Sequence, residues 1–285
     1  MRNSPRLTLD IAPLDLDMTL GCGQTFRWER EEDGSWTGIL GECVVCLDNS
    51  EGPLTIQIRH GGERAGGMVL EYLRGGDDIN AIQAVLSKDP VLSSGLARFI
   101  GLRIVKMPPW ECIVSFVLAT NSNIKRITRM INSIAEGYGE NIAEGMYAFP
   151  SVEGLRNATI EDLSGRGLGY RATYLHALCQ TVDESTISRM ERMAYEDLRN
   201  ELKKLPGIGD KVADCISLFG FGHLGSFPID VWVEKALGRL YGVTGSYPVL
   251  RRFATERFGA FAGYAQEYLF LNERSLAPDG ACAFS

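Results

Sequence analysis

The stretch Leu205-Pro206-Gly207-Ile208-Gly209-Asp210-Lys211-Val212-Ala213-Asp214-Cys215 decides how this chain is read. A helix predicted over 194–204 stops before Pro206, whose ring cannot continue it. Two glycines one residue apart then turn the chain tightly into a second helix predicted over 210–221. Backbone N–H groups of such a hairpin, and of the first turn after it, lack intrahelical acceptors and point outward, which makes an anion site suited to a DNA phosphate. Gly207 and Gly209 would form that site. The same Gly-x-Gly spacing also serves a plain connection between two helices, so the hairpin alone leaves both readings open.

Lys211 sharpens the choice. On a helix starting at Asp210, Val212, Ile216 and Phe219 share one buried stripe, whereas Lys211, Cys215 and Leu218 fall on another. The positive end of the helix dipole and partial burial both disfavour an ammonium, so the Lys211 pKa is expected to be lowered, as an amine nucleophile requires. A solvated lysine in a first helical turn is the bland alternative, and the site is electrostatically poor for one. Some twenty residues on, Phe227-Pro228-Ile229-Asp230-Val231-Trp232-Val233 places Asp230 at an N-cap ahead of a helix predicted over 230–241. Asp230 is either only a cap or also a carboxylate aimed at whatever approaches the helix, and the two roles are compatible.

Outward from this centre the chain changes character. Short alternating or β-branched runs at 7–11, 36–40, 43–47 and 54–58, separated by Asp33-Gly34, Asn49-Ser50-Glu51-Gly52-Pro53 and Gly61-Gly62, predict an antiparallel sheet domain over 1–101 with flanking helices. Helical periodicity predicts elements at 79–88, 90–100, 110–119, 124–136, 170–181, 194–204, 210–221, 230–241, 247–258 and 263–274. The expected fold class is therefore α+β: an N-terminal antiparallel sheet followed by an all-helical body over 102–285, with a helix-hairpin-helix at about 195–221.

With 285 residues, 45% of them hydrophobic and 23% charged, the chain is long enough for a large core and is neither disordered nor a coiled coil. Its longest apolar run, 113–119, falls far short of a membrane span of roughly 20 residues. The N-terminus offers no signal core. A soluble cytoplasmic protein, nucleoid-associated if prokaryotic, is expected, with no membrane partner. The cysteines Cys22, Cys43, Cys46, Cys112, Cys179, Cys215 and Cys282 read as free thiols, and Cys43-Val-Val-Cys46 has no second pair or nearby histidine to make a zinc site. The net charge of −7 argues against nucleic-acid binding by bulk electrostatics. Locally the balance reverses: residues 101–135 carry Arg103, Lys106, Lys125, Arg126 and Arg129 against the acid Glu111, and 164–176 carry Arg166 and Arg171 with no acid. Such stretches bind phosphate backbones in a salt-dependent way.

These residues carry a resemblance. The hairpin with Lys211, and Asp230 behind its proline, resemble the helix-hairpin-helix DNA glycosylase superfamily, and in particular the 8-oxoguanine DNA glycosylase family. The likeness extends through Cys22-Gly23-Gln24-Thr25-Phe26-Arg27-Trp28, Asn121-Ser122-Asn123-Ile124-Lys125-Arg126-Ile127-Thr128, Gly167-Leu168-Gly169-Tyr170-Arg171-Ala172 and Tyr264-Ala265-Gln266-Glu267-Tyr268-Leu269-Phe270, covering nearly the whole chain in order and spacing. It implies an enzyme that flips 8-oxoguanine out of double-stranded DNA, cleaves its glycosidic bond and nicks the strand by β-elimination.

By that resemblance Lys211 is the nucleophile that forms a Schiff base at C1′, and Asp230 steadies the positive charge of the sugar and helps to activate Lys211. Gly23 is implied to present its carbonyl to the N7–H that distinguishes 8-oxoguanine from guanine. Gln266 reads the Watson–Crick edge, Phe270 stacks on the base and Cys215 covers its other side. Asn121 and Tyr170 are implied to fill or wedge the emptied stack, and Arg126 and Arg171 to bond the estranged cytosine, which predicts a preference for lesions opposite cytosine. Arg126 and Arg171 could also be phosphate contacts only.

Two positions depart from the family pattern: Trp232 stands where a histidine is usual, and Ser122 where an asparagine is. Both bear on the relative rates of base removal and strand nicking. No cofactor or metal is implied beyond a monovalent cation at the hairpin carbonyls. The four-cysteine iron–sulfur motif is absent from the sequence. A monomer is expected. The alternatives are a helix-hairpin-helix glycosylase for another damaged base, and a non-catalytic damaged-DNA-binding protein.

Overall fold

A computed structural model describes residues 5–276. Cys282 therefore lies outside the described residues. The expected sheet is five-stranded and antiparallel throughout. Its strands are β1 (Arg6–Leu9), β2 (Trp28–Arg30), β3 (Trp36–Leu40), β4 (Cys43–Asp48) and β5 (Leu54–His60), in the order β1-β5-β4-β3-β2. Strict alternation in β5 turns Leu54, Ile56 and Ile58 into the core while Thr55 and Gln57 stay half-buried. Gly41, at φ +56°, starts the tight turn that pairs Leu40 with Cys43. β2 was not expected from sequence, because a three-residue strand carrying Glu29 and Arg30 has no alternation to detect.

The predicted helices form within a few residues of their expected bounds, among them Pro109–Ala119, Ile124–Tyr138, Arg171–Thr181, Tyr195–Leu202, Asp210–Phe219, Val231–Tyr241, Tyr247–Phe258 and Ala262–Ser275. Caps fix their starts: Asn123 accepts from the Arg126 N–H at 3.0 Å, and Asp230 from Trp232 and Val233 at 3.0 and 2.9 Å. The expectation of an all-helical second part needs correction. Asn141–Ala143 and Met146–Tyr147 form a two-stranded antiparallel hairpin, turned at Gly145 with φ +70°. Ile142 and Ala148 pack there against Val44, so β4 is covered on both faces. That non-local contact, not strand propensity, makes the hairpin.

One apolar core runs from the sheet through the helices, across the expected division at 101/102. The Gly-Gln-Thr-Phe-Arg-Trp segment is the seam. Gln24 donates to the carbonyls of Thr19 and Arg103 at 2.7 and 2.8 Å and accepts from the Val105 N–H at 3.0 Å. Phe26 meets Phe116 edge-on at 5.9 Å, and Phe116 stacks on Phe219 at 5.5 Å, reaching the helix that carries Lys211. Among the described residues no helix is long and apolar enough to cross a membrane.

Candidate active site and DNA-facing surface

The hairpin forms as its sequence requires, but its two glycines do different work. Gly207 sits at φ +79°, and a Cβ there would come within 2.9 Å of the Tyr174 ring. Gly209 is extended at φ −96° and is the N-cap of Asp210–Phe219. Among the described residues the amides of Gly207 and Gly209 donate to no protein acceptor, so both donors are free for a ligand. Asp210 at the helix start is held by Arg199 at 2.6 Å.

The helix after the hairpin is more buried than the two-stripe reading allowed. Val212 through Phe219 are all buried, Cys215 and Leu218 included, because the helix is sandwiched between Tyr195–Leu202 and Pro109–Ala119. Lys211 stays half-buried with its Nζ 5.8 Å from the centre of the Phe116 ring. The net direction of its pKa shift runs against the expected lowering. The direction is upward, through interaction with Cys215 first, burial opposing, and then the charges of Asp230 and Glu267. Burial in turn pushes the Cys215 thiol up to about 12, so at neutral pH the sulfur is uncharged and burial, which acts downward on Lys211, stands against the nearby Asp230. The expectation counted the helix dipole and burial, and burial does act downward; it left out the groups that meet Lys211 from elsewhere in the chain.

One small cavity, about 80 Å³ in volume, collects Lys211, Asp230, Gly23, Cys215, Gln266 and Phe270 from separate parts of the chain. Asp230 is both a cap and a cavity wall, so capping does not withdraw its carboxylate from the cavity. Gly23 stands at φ +102°, and a Cβ there would meet Ile124 Cδ1 at 2.9 Å, so the turn demands glycine. Gln266 is buried with its Oε1 unpartnered. Trp232 does not line the cavity; Lys235 Nζ lies 5.3 Å from its ring centre. Ser122 is half-buried, and its inaccessible hydroxyl oxygen has no partner.

Around Asn121 the surface is exposed and oddly shaped. Asn121 takes φ +50°, a conformation rare outside glycine, and its Nδ2 donates to Tyr170 Oη at 3.4 Å. Tyr170 is 51% exposed and donates to the Thr120 carbonyl at 3.2 Å. Arg126, Lys125 and Arg129 are exposed beside them. Arg171 differs from expectation: it is 1% exposed, lies 4.6 Å from the Tyr170 ring centre, and donates through Nε and Nη2 to Thr120 O and through Nη2 to Asn121 O at 3.0 Å. In this state it shapes the Asn121 turn, leaving Arg126 as the outward member of the pair.

Other cations of the basic stretches are also structural. Arg103 is buried and donates to the carbonyls of Ile11, Pro13, Arg74 and Asp77, Lys106 pairs with Glu71 at 2.7 Å, and Arg166 lies on Tyr138 and donates to Ser133 O.

Sequence reasoning passed over Asp214, Tyr247 and Glu267. Fully buried Asp214 accepts from Tyr195 at 2.7 Å, Arg199 at 2.9 Å and Tyr247 at 2.6 Å, and Tyr247 Oη in turn accepts from the Ile229 N–H at 3.3 Å. The Lys211 helix and the Asp230 loop are thereby tied together. A polar residue in an otherwise apolar helix was the available signal. Glu267 lines the same cavity.

Comparison with known proteins agrees with this geometry. The family model for the N-terminal domain of 8-oxoguanine DNA glycosylase matches residues 6–113, and that of the HhH-GPD superfamily of base excision DNA repair proteins matches residues 114–258. A probable N-glycosylase/DNA lyase of Methanothermobacter thermautotrophicus is 30% identical over 94% of this chain and 96% of its own length. An N-glycosylase/DNA lyase of Arabidopsis thaliana is 28% identical over 94% of this chain and 79% of its own. The crystal structure of Clostridium acetobutylicum 8-oxoguanine glycosylase/lyase, in complex with double-stranded DNA containing cytosine opposite 8-oxoguanine, superposes with a TM-score of 0.87 at 32% identity, covering 96% of each chain. The fold, the convergence of the separate motifs on one cavity and these likenesses together place the chain in the 8-oxoguanine DNA glycosylase family, within the HhH-GPD superfamily of base excision DNA repair proteins.

Proposed function

We propose that this protein removes 8-oxoguanine from duplex DNA, preferring cytosine opposite, and then nicks the strand through a Schiff base on Lys211. The observation that carries the reading is the single cavity shared by an amine, a carboxylate, a glycine turn, an amide and an aromatic ring. The Lys211 amine attacks C1′ of the flipped nucleotide, the glycosidic bond breaks with its electrons leaving on the base, and the sugar ring opens to an iminium. The excised base, which left as an anion, takes the C2′ proton, and the electrons of that C–H bond expel the 3′ phosphate. Asp230, fixed by its two capping hydrogen bonds, stabilises the cationic sugar and takes up the ammonium proton.

Recognition is divided among neighbours. The Gly23 carbonyl accepts the N7–H, Gln266 with its unpartnered Oε1 takes a donor of the Watson–Crick edge, and Phe270 and the neutral Cys215 thiol face the ring. The cavity, at about 80 Å³, is smaller than the ~150 Å³ that holds benzene, so a purine enters only as Phe270 and the Arg274 beside its ring, 5.6 Å away, move aside. Arg126 meets the cytosine directly. Arg171 joins it when the Asn121 turn enters the stack.

Lys211→Gln tests the nucleophile. The variant should lose strand cleavage and keep lesion binding within about tenfold, as expected when covalent catalysis but not base recognition is removed. Cleavage at the wild-type rate would rule out Lys211, and loss of lesion binding would reassign it to the DNA contact.

A further inference from the structure

Glu267 follows Gln266 on the Ala262–Ser275 helix and lines the cavity with Lys211 and Asp230. It is 5% exposed, and its Oε2 has no hydrogen-bond partner; Gln266 Oε1 is unpartnered in the same cavity. A buried polar atom left without a partner is costly, so two in one cavity mark a place that a ligand completes. The groups facing Glu267 are Asp230 at the start of Val231–Tyr241, Lys211 on the hairpin helix, Cys22 in the loop before Gly23, and Arg274 on its own helix. Burial, then the Asp230 charge, push the Glu267 carboxyl up to about 8 against Cys22, Gln266 and Arg274. At neutral pH it therefore carries a proton and offers an O–H donor.

We propose that Glu267 is a specificity-determining residue whose unpartnered carboxyl oxygen donates a hydrogen bond to a carbonyl oxygen of the flipped base, beside Gln266. The ligand class is an oxopurine. An adenine-type base, with an amino donor in place of the 6-carbonyl, would set donor against donor and be rejected. The inference rests on the proposed substrate and adds a group that reads it.

The test uses the full chain at sub-saturating concentration, where the pH profile reports groups of the free enzyme. Excision from an 8-oxoguanine:cytosine duplex, and lyase action on a preformed abasic site, are measured for wild type, Glu267→Gln and Glu267→Ala across pH 8. Glutamine keeps a donor at every pH. The ratio of wild-type to Glu267→Gln excision should be flat below about pH 7.5 and fall toward tenfold per unit above about 8; because ionised Glu267 also acts on Lys211, the same ratio for abasic-site lyase action, taken over the same pH range, is divided out. Glu267→Ala should lose about 10- to 100-fold in excision while its abasic-site lyase rate stays within about threefold.

A flat ratio across pH 8, Glu267→Ala excision near wild type, or equal losses on both substrates would overturn the role of Glu267 alone. Equal losses are what a merely structural residue would give. Wild-type protein that leaves 8-oxoguanine in place but cleaves the abasic site would overturn the substrate reading, and the proposal with it.

Discussion

At the residue scale, Lys211 carries the sharpest correction. A lysine with a raised pKa holds its proton through the neutral range, and the reactive amine is a small fraction that grows with pH. Imine formation with a preformed abasic site should therefore climb by about tenfold per pH unit from pH 6 to 8, measured at sub-saturating enzyme. A plateau beginning below about pH 7 would show that the pKa is lowered after all, as the helix dipole alone suggested. The residue types of the site were legible in sequence: Gly23, Lys211, Cys215, Asp230, Gln266 and Phe270 were each singled out and all line one cavity. Their charge states were not. These depend on Asp230 and Glu267, which lie 19 and 56 positions from Lys211 and come near only through folding. The fate of Arg103 and Arg171 was hidden for the same reason, since a count of cations cannot tell a guanidinium facing phosphate from one bonded to buried carbonyls.

At the scale of elements, long helices with caps were readable because periodicity and a capping side chain act within a few residues. Short pieces that depend on distant partners were not, as the Asn141–Ala143 and Met146–Tyr147 hairpin shows. The link between the catalytic elements is of this second kind. Tyr247 opens Tyr247–Phe258 yet bonds both Asp214 on the Lys211 helix and the Ile229 N–H beside Asp230. Tyr247→Phe removes both bonds at once and leaves the Ile229 N–H, beside a buried side chain, without its partner. The loss should be about 1–3 kcal/mol, a fall in Tm of about 2–4 °C per kcal/mol. The rate of base excision should fall more than DNA affinity does, because the loop that aims Asp230 is loosened. Unchanged Tm and unchanged excision would mean that Tyr195 and Arg199 hold Asp214 sufficiently on their own.

For the whole molecule, the composition suggested two successive parts, and the order of sheet then helices was correct. The continuity of the core was not legible, because hydrophobic periodicity says which face is buried but not against what. That continuity matters to function. Gly23 belongs to the sheet part and Lys211 to the helical part, and the Gln24, Phe26 and Phe116 seam fixes one relative to the other. With an acidic net charge of −7, the groups proposed to hold DNA are local: the exposed Lys125, Arg126 and Arg129 near the Asn121 turn and the hairpin amides.

The most direct test of the whole account is borohydride trapping on duplexes that carry one 8-oxoguanine opposite each normal base in turn, followed by mapping of the linked peptide. The account predicts a covalent adduct on Lys211, formed fastest opposite cytosine and absent from Lys211→Gln. An adduct on another residue, or equal trapping opposite all four bases, would contradict it.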